Sequence, residues 1–274
     1  MTVSCLRAMT MAGAALLGSL SSVPAAAQGD LLIAPTRVII SQGGSSEVIL
    51  SNIGAEPATY RISAELRRMT EDGDFHEVTE AEATPAERAA LQMITYAPRR
   101  INLLPGQPQS VRISIRPPEG LPDGEYRVHL NFRAVPPALK PEADTDPAAG
   151  VSIRLTPVYG ITIPVFVRRG RLEASATLAN AHLVTEPGGS FVELDLSRAG
   201  QRSVYGEFIG KSARGEVLFD LRGVAAYPEI THRKVQIPLS PDALVKLKGP
   251  VKIEYRELPE NGGALIAATA ATFP

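Results

Sequence analysis

Apolar and polar residues alternate along much of this chain. In Tyr60-Arg61-Ile62-Ser63-Ala64-Glu65-Leu66 the even positions are apolar and the odd ones polar. The same period of two runs through Val111-Arg112-Ile113-Ser114-Ile115-Arg116 and through Tyr126-Arg127-Val128-His129-Leu130-Asn131-Phe132-Arg133. A side chain on every second residue faces the same side of a strand, so each stretch predicts one face on a core and one in water. Turn sequences separate them: Gln42-Gly43-Gly44, Glu71-Asp72-Gly73, Leu104-Pro105-Gly106 and Pro122-Asp123-Gly124. Short strands at this spacing predict antiparallel sandwiches, an all-β fold. One stretch departs from the pattern. Over residues 84–91, Thr84 as cap, Pro85 at the first helical position and Glu87 at the third predict one short helix.

The longest alternation covers residues 151–167. Val151, Ile153, Leu155, Pro157, Tyr159, Ile161, Ile163, Val165 and Val167 all fall on odd positions. Pro157 and Pro164 lack an N–H, which favours a sheet edge or a bulge. A long edge strand with one apolar face is a template for another chain. Residues 136–150, rich in proline and acids, read as a loop leading into it. Arg168-Arg169-Gly170 marks a boundary. Beyond it a second strand series carries Val192/Leu194/Leu196, Val204/Phe208, Val217/Phe219/Leu221, Val235/Ile237/Leu239 and Val251/Ile253/Tyr255. The expected division is a leader over 1–27, a first β-domain over 28–168 and a second over 169–274.

The leader has the marks of an export signal. Arg7 supplies the positive start, an apolar run leads to Leu20, and Ala25-Ala26-Ala27 forms a small-residue cleavage site before Gln28. The apolar run is shorter than the ~20 residues a membrane span needs. Cys5 is the single cysteine of the 274 residues and goes with the leader, so the mature chain has no thiol chemistry and no disulfide. A bacterial periplasm is the expected compartment. With 28 Lys+Arg against 29 Asp+Glu, no basic field is available for nucleic acid.

Catalytic signatures do not assemble. His76, His129, His182 and His232 lie far apart, and His76-Glu77-Val78-Thr79-Glu80 lacks the second histidine of a zinc-protease helix. There is no GxSxG elbow and no glycine-rich phosphate loop after a strand. No enzyme activity, cofactor or metal is expected.

Five stretches, in order, resemble one family. They are Ile33-Ala34-Pro35-Thr36-Arg37-Val38-Ile39; Val48-Ile49-Leu50-Ser51-Asn52; Leu104-Pro105-Gly106 before Val111-Arg112-Ile113; Tyr126 to Phe132 running into Arg133-Ala134-Val135-Pro136-Pro137; and Ile163-Pro164-Val165-Phe166-Val167-Arg168. Together they resemble the periplasmic pilus chaperones, the PapD-like family, over about residues 30–168. The resemblance implies two Ig-like sandwiches set as a boomerang and a role in fimbrium biogenesis. It implies a pilus or surface-fibre subunit as partner, bound by donor-strand complementation, with an outer-membrane usher receiving it. It also implies that the subunit's C-terminal carboxylate is clamped between the domains by an arginine and a lysine.

On that resemblance Arg37 is the clamp arginine. The family's lysine aligns with Pro164, so this chain is similar to a divergent member; Arg154, Arg168 and Arg169 are the candidate substitutes. Val151, Ile153, Leu155, Pro157 and Tyr159 are assigned to the subunit groove. Ile161, Ile163, Val165 and Val167 are assigned to this chain's own core. Glu125 and Arg168, with Glu260 from the second domain, are assigned to an interdomain ion network. An exposed apolar edge also makes a self-capping homodimer expected in the absence of a subunit. Two other readings stay open: a structural pilus or adhesin subunit, and a periplasmic Ig-like binding module.

Export with cleavage after Ala27 predicts a periplasmic product whose N-terminal residue, read by Edman sequencing or mass spectrometry, is Gln28. A cell-associated product that keeps residues 1–27 would contradict it.

Overall fold

The computed structural model describes residues 31–41, 44–136 and 158–274. The groove-assigned residues Val151, Ile153, Leu155 and Pro157, the leader and most of the proline-rich loop lie outside the described residues. The described residues are mostly strand and form two β-sandwiches, each from two sheets.

In the first sandwich one sheet runs in the order Leu31–Ala34, Ser45–Asn52, Gln109–Ile115, Ile94–Ala97. The facing sheet runs Val38–Ser41, Gly160–Arg169, Gly124–Val135, Ala58–Met69, Phe75–Val78, and Arg100–Leu103 also pairs with Ala58–Met69. The alternation read from the sequence is the alternation of burial. Tyr60, Ile62 and Leu66 face inward, as do Val111, Ile113, Val128, Leu130 and Phe132. Ile163, Val165 and Val167 join that core, and Ile161 packs against it half-buried.

The second sandwich faces Ala174–Glu186, Gly189–Gly200 and His232–Pro238 against Val217–Ala226, Val204–Ser212, Gly249–Arg256 and Leu265–Phe273. Val192, Leu194, Leu196, Phe208, Ile237, Ile253 and Tyr255 fill its centre. One pattern slips here. Val217 is 53% exposed while Leu218 and Phe219 are buried. The register with the neighbouring strand shifts between Gly210 and Lys211, which rotates the start of the strand. Gly210 itself is required: a Cβ there would enter the Phe219 ring.

The expected helix is present as Pro85–Met93, capped by Thr84. Its first turn is held by a reciprocal pair: the Glu87 N–H donates to Thr84 Oγ1 at 3.3 Å and the Thr84 N–H to Glu87 Oε2 at 2.7 Å. A second helix, Pro241–Lys246, capped by Ser240, was not foreshadowed by the strand alternation.

At the end of Gly160–Arg169 the even positions Phe166 and Arg168 meet the second sandwich. Phe166 is fully buried, and it belongs with Met69 to the second core although both sit on strands of the first sandwich. The two halves therefore share apolar surface.

The Glu87 carboxylate also receives two hydrogen bonds of 2.7 Å from Arg68. Arg68 first, then the Thr84 backbone and hydroxyl, hold it at about 2, below its ordinary 4.5. A depressed carboxylate favours the folded state above the unfolded value and loses that contribution as pH falls through the folded one. Glu87→Gln is expected to cost about 1–2 kcal/mol at pH 7. In urea titrations the gap to wild type should close between pH 4.5 and 2. A gap that persists at pH 2 would rule out the ionised cap.

Candidate functional site

Arg37 precedes the edge strand Val38–Ser41 and points at the second sandwich. Its Nη2 donates to Ser203 Oγ at 3.1 Å and its Nη1 to Tyr227 Oη at 3.3 Å. The guanidinium carbon lies 3.9 Å from the Phe166 ring centroid and 4.4 Å from that of Tyr205. Tyr227 closes the box at 5.7 Å. Aromatic faces attract a cation without neutralising it, and each such contact is worth ~0.5–2 kcal/mol. Burial lowers the Arg37 pKa from its ordinary value, while Tyr227 and Glu125 oppose that shift. Both hydrogen bonds go to neutral hydroxyls, and among the described residues no carboxylate forms an ion pair with Arg37.

Glu125 and Arg168 do meet. Glu125 has a side chain only 1% exposed and accepts from Arg168 Nε at 2.8 Å. It also accepts from the Ser203 N–H at 2.9 Å and from the Ser203 hydroxyl at 3.0 Å. A carboxylate this deeply buried needs its lone pairs satisfied, and a cation with two Ser203 donors does so. Glu260 does not join them. It pairs with Arg222 at 3.1 Å on the surface of the second sandwich. The expectation for Glu260 is therefore corrected: Ser203 is the residue through which the second sandwich enters this network. A serine offers both a backbone N–H and a hydroxyl to the buried acid, and it brings no charge to desolvate.

The sequence reading missed the centre of the junction. Tyr227, 4% exposed, lies between the Arg37 guanidinium and that of Arg127, which stacks over its ring at 4.0 Å. Phe166 meets it edge-on at 5.5 Å, and the tilted ring of Phe75 lies 5.8 Å away. Arg127 pairs with Glu229 at 2.5 Å, and Glu229 also accepts the Met69 N–H at 2.9 Å. The hairpin tip at residues 70–74 hooks onto the second sandwich. There the Lys234 N–H donates to the Glu71 carbonyl at 2.7 Å. The only sequence signal was a tyrosine and a glutamate flanking Pro228 at a strand end, which does not reveal partners about a hundred residues away.

A cleft of about 410 Å³ opens at this junction, lined by Arg37, Ile39, Arg168, Arg202, Tyr205 and Leu265 among others. A second cleft of about 270 Å³ lies by Arg67, Arg68, Arg127, Glu87 and Glu229. The guanidiniums of Arg67, Arg68 and Arg127 are each paired with a glutamate. Of the groove-assigned residues only Tyr159 is described. It is half exposed, and its carbonyl accepts the Ala134 N–H at 2.9 Å as the strand begins.

Pro164 sits opposite His129 in the register with Gly124–Val135. His129 is buried, and desolvation with the nearby Arg127 and Arg67 pushes it down to about 3, so it is neutral at ordinary pH. Among the described residues no group of three or more His, Cys, Asp or Glu could hold a metal ion.

No protein-family model and no curated protein matches the chain. The structure is similar to that of the YadV chaperone, with 15% identity, 89% of this chain and 99% of that one covered, and a TM-score of 0.48. It is also similar to the CsuC–CsuE chaperone–tip adhesion subunit pre-assembly complex from Acinetobacter baumannii Csu pili. There the identity is 15%, the coverage 89% and 97%, and the TM-score 0.46. The E. coli chaperone DraB gives 15% identity, 89% and 96% coverage, and a TM-score of 0.46.

Tyr227 joins both arginines to the shared apolar surface. Tyr227→Ala is expected to cost about 3–5 kcal/mol, as for a large buried aromatic. It should also split the calorimetric unfolding into two transitions, one per sandwich. A single transition with an unchanged midpoint would show that the sandwiches do not depend on this ring.

Proposed function

We propose that this protein is a periplasmic assembly chaperone that lends a strand to an incomplete pilus or surface-fibre subunit. The observation that carries the proposal is the half-paired strand Gly160–Arg169. On one side it is hydrogen-bonded to Gly124–Val135 along its whole length. On the other it meets Val38–Ser41 only from Val165 onward. Among the described residues, 160–164 have a strand neighbour on one side only. Pro164, which could not donate to a second neighbour, stands at the last unpaired position.

Upstream the same alternation continues through Tyr159, Pro157, Leu155, Ile153 and Val151. A subunit lacking one strand exposes an apolar groove and a row of unpaired backbone groups. An edge strand that offers N–H and C=O groups, with apolar side chains on alternate residues, satisfies both deficits together. The resemblance of residues 30–168 to the PapD-like chaperones supports the same assignment.

Arg37 supports a second contact. A guanidinium that has no acidic ion-pair partner among the described residues and lines a cleft between two sandwiches suits a chain-terminal carboxylate. The anchored carboxylate would fix the register in which the subunit pairs with the edge. Release to an outer-membrane usher would follow when a neighbouring subunit supplies a better-fitting strand, so the cycle requires no nucleotide. Without a subunit, two copies pairing edge to edge would cover the same groups.

Replacing Ile153 and Leu155 together by Asp should reduce co-purification of the cognate subunit from periplasm at least about tenfold, the loss expected when charges enter an apolar groove. The variant's circular dichroism and melting temperature should match wild type. Full retention of the subunit by this variant would remove strand donation.

A further inference from the structure

One row of residues crosses four neighbouring strands of the first sandwich. Arg100 stands opposite Arg61, Arg61 opposite Arg133, and Arg133 opposite Gly160. Residues directly opposite each other in a sheet put their side chains on the same face. Tyr60, Ile101 and Phe132, the neighbours in sequence, are buried in the core. The three guanidiniums therefore lie on the outer face, where all three arginines are exposed.

Opposite residues on paired strands lie ~4.5–5.5 Å apart, and like charges in that position repel. The sheet carries this repulsion twice in one row. Among the described residues no carboxylate pairs with Arg61, Arg100 or Arg133. Glu65, on the same face of Ala58–Met69, is already engaged: it holds Arg67 at 2.6 Å and accepts from Asn131 at 3.0 Å. Other arginines of this sandwich do have acidic partners, as Arg68 has Glu87 and Arg168 has Glu125. The row is thus a local excess of positive charge in a chain whose formal net charge is −1.

The row ends where the sheet ends. Gly160 belongs to the residues 160–164 that, among the described residues, have a strand neighbour on one side only. Having no side chain, it leaves nothing of its own strand between Arg133 and the open edge. A strand added there would lie two strand spacings, ~10 Å, from the backbone of Arg133. A long acidic side chain and an arginine, reaching toward each other over a glycine, close that gap.

We infer that this arginine row recognises an acidic side chain on the strand added beside Gly160, and so selects among pilus or surface-fibre subunits by charge. The inference rests on the strand-donation reading and adds a preference to it. Alternating apolar side chains fit a groove equally well after a slip of two residues, which keeps every side chain on its own face. A carboxylate that must meet Arg133 fixes one of those registers. Arg61 and Arg100 stand behind Arg133 and strengthen the positive potential there. Nucleic acid or an anionic bilayer would also face the rest of a net negative molecule, whereas one carboxylate meets only the row.

The test uses the full mature chain and two blocked peptides, N-acetyl-Thr-Val-Thr-Val-Glu-Val-Thr-Val-Thr-amide and the same peptide with Gln in place of Glu. Isothermal titration gives the ratio of their affinities. Wild type should prefer the Glu peptide about threefold or more in low salt, and the preference should fade at about 0.5 M salt. Arg133→Gln should abolish it with the affinity for the Gln peptide unchanged, and Arg133→Lys should keep part of it. Arg112→Gln removes an exposed arginine of the facing sheet and should leave the ratio as in wild type. The repulsion itself gives a second readout: Arg61→Gln should raise the melting midpoint of the free protein by about 1–3 °C in low salt.

Equal affinities in wild type, a preference that survives Arg133→Gln, or one lost equally in Arg112→Gln would overturn the inference and leave strand donation standing. An unchanged or lower midpoint in Arg61→Gln would mean that acids of this chain already neutralise the row, which also overturns it. Failure of both peptides to bind would bring down strand donation, and the inference with it.

Discussion

The junction between the two sandwiches depends on one buried ring. Tyr227 separates the guanidiniums of Arg37 and Arg127, and its hydroxyl accepts from the first of them. Aromatic faces stabilise cations at short range while leaving the charge unmatched. Arg127 meets Glu229 and becomes a brace between the halves. Among the described residues Arg37 donates to hydroxyls and lies over rings. One side chain thus touches two arginines that are held differently, one by a carboxylate and one by hydroxyls and rings.

The buried Glu125 network complements this arrangement. It removes Arg168 from the cleft's free charge and ties Ser203, on the far sandwich, to the first. Breaking such a network by deleting one partner leaves a buried charge unsatisfied, which costs far more than the loss of a surface pair. Glu260 and Arg222, both more than half exposed, belong to the weak class. Burial separates the ion pairs that set the geometry from those that decorate it.

Much of the fold was legible because period-two alternation is a direct record of one buried face. The inward positions of Tyr60 to Leu66, Val111 to Ile115 and Tyr126 to Phe132 could be read off, although His129, on the expected water face of the last, is buried against the rest of the protein. The capped helix was legible because Thr84, Pro85 and Glu87 act on their own neighbours. Val217 was misread because a register shift moves the pattern by one residue and leaves no mark in composition. The pairing of Arg168 with Glu125 was legible through resemblance to a family. Tyr227 and Ser203 were not, since their partners are far away in the chain and their local sequence is that of an ordinary strand end. Phe166 falls on an even position, opposite the alternating apolar set of its strand, because it packs into the core of the other sandwich.

The hairpin tip at residues 70–74 grips the second sandwich through main-chain atoms, from the Lys234 amide to the Glu71 carbonyl. A bond of this kind is indifferent to what either residue carries. Mutational drift at positions 71 and 234 can recolour the outer surface while the hook persists, so the posture of the two halves is insulated from much of the change that accumulates around it.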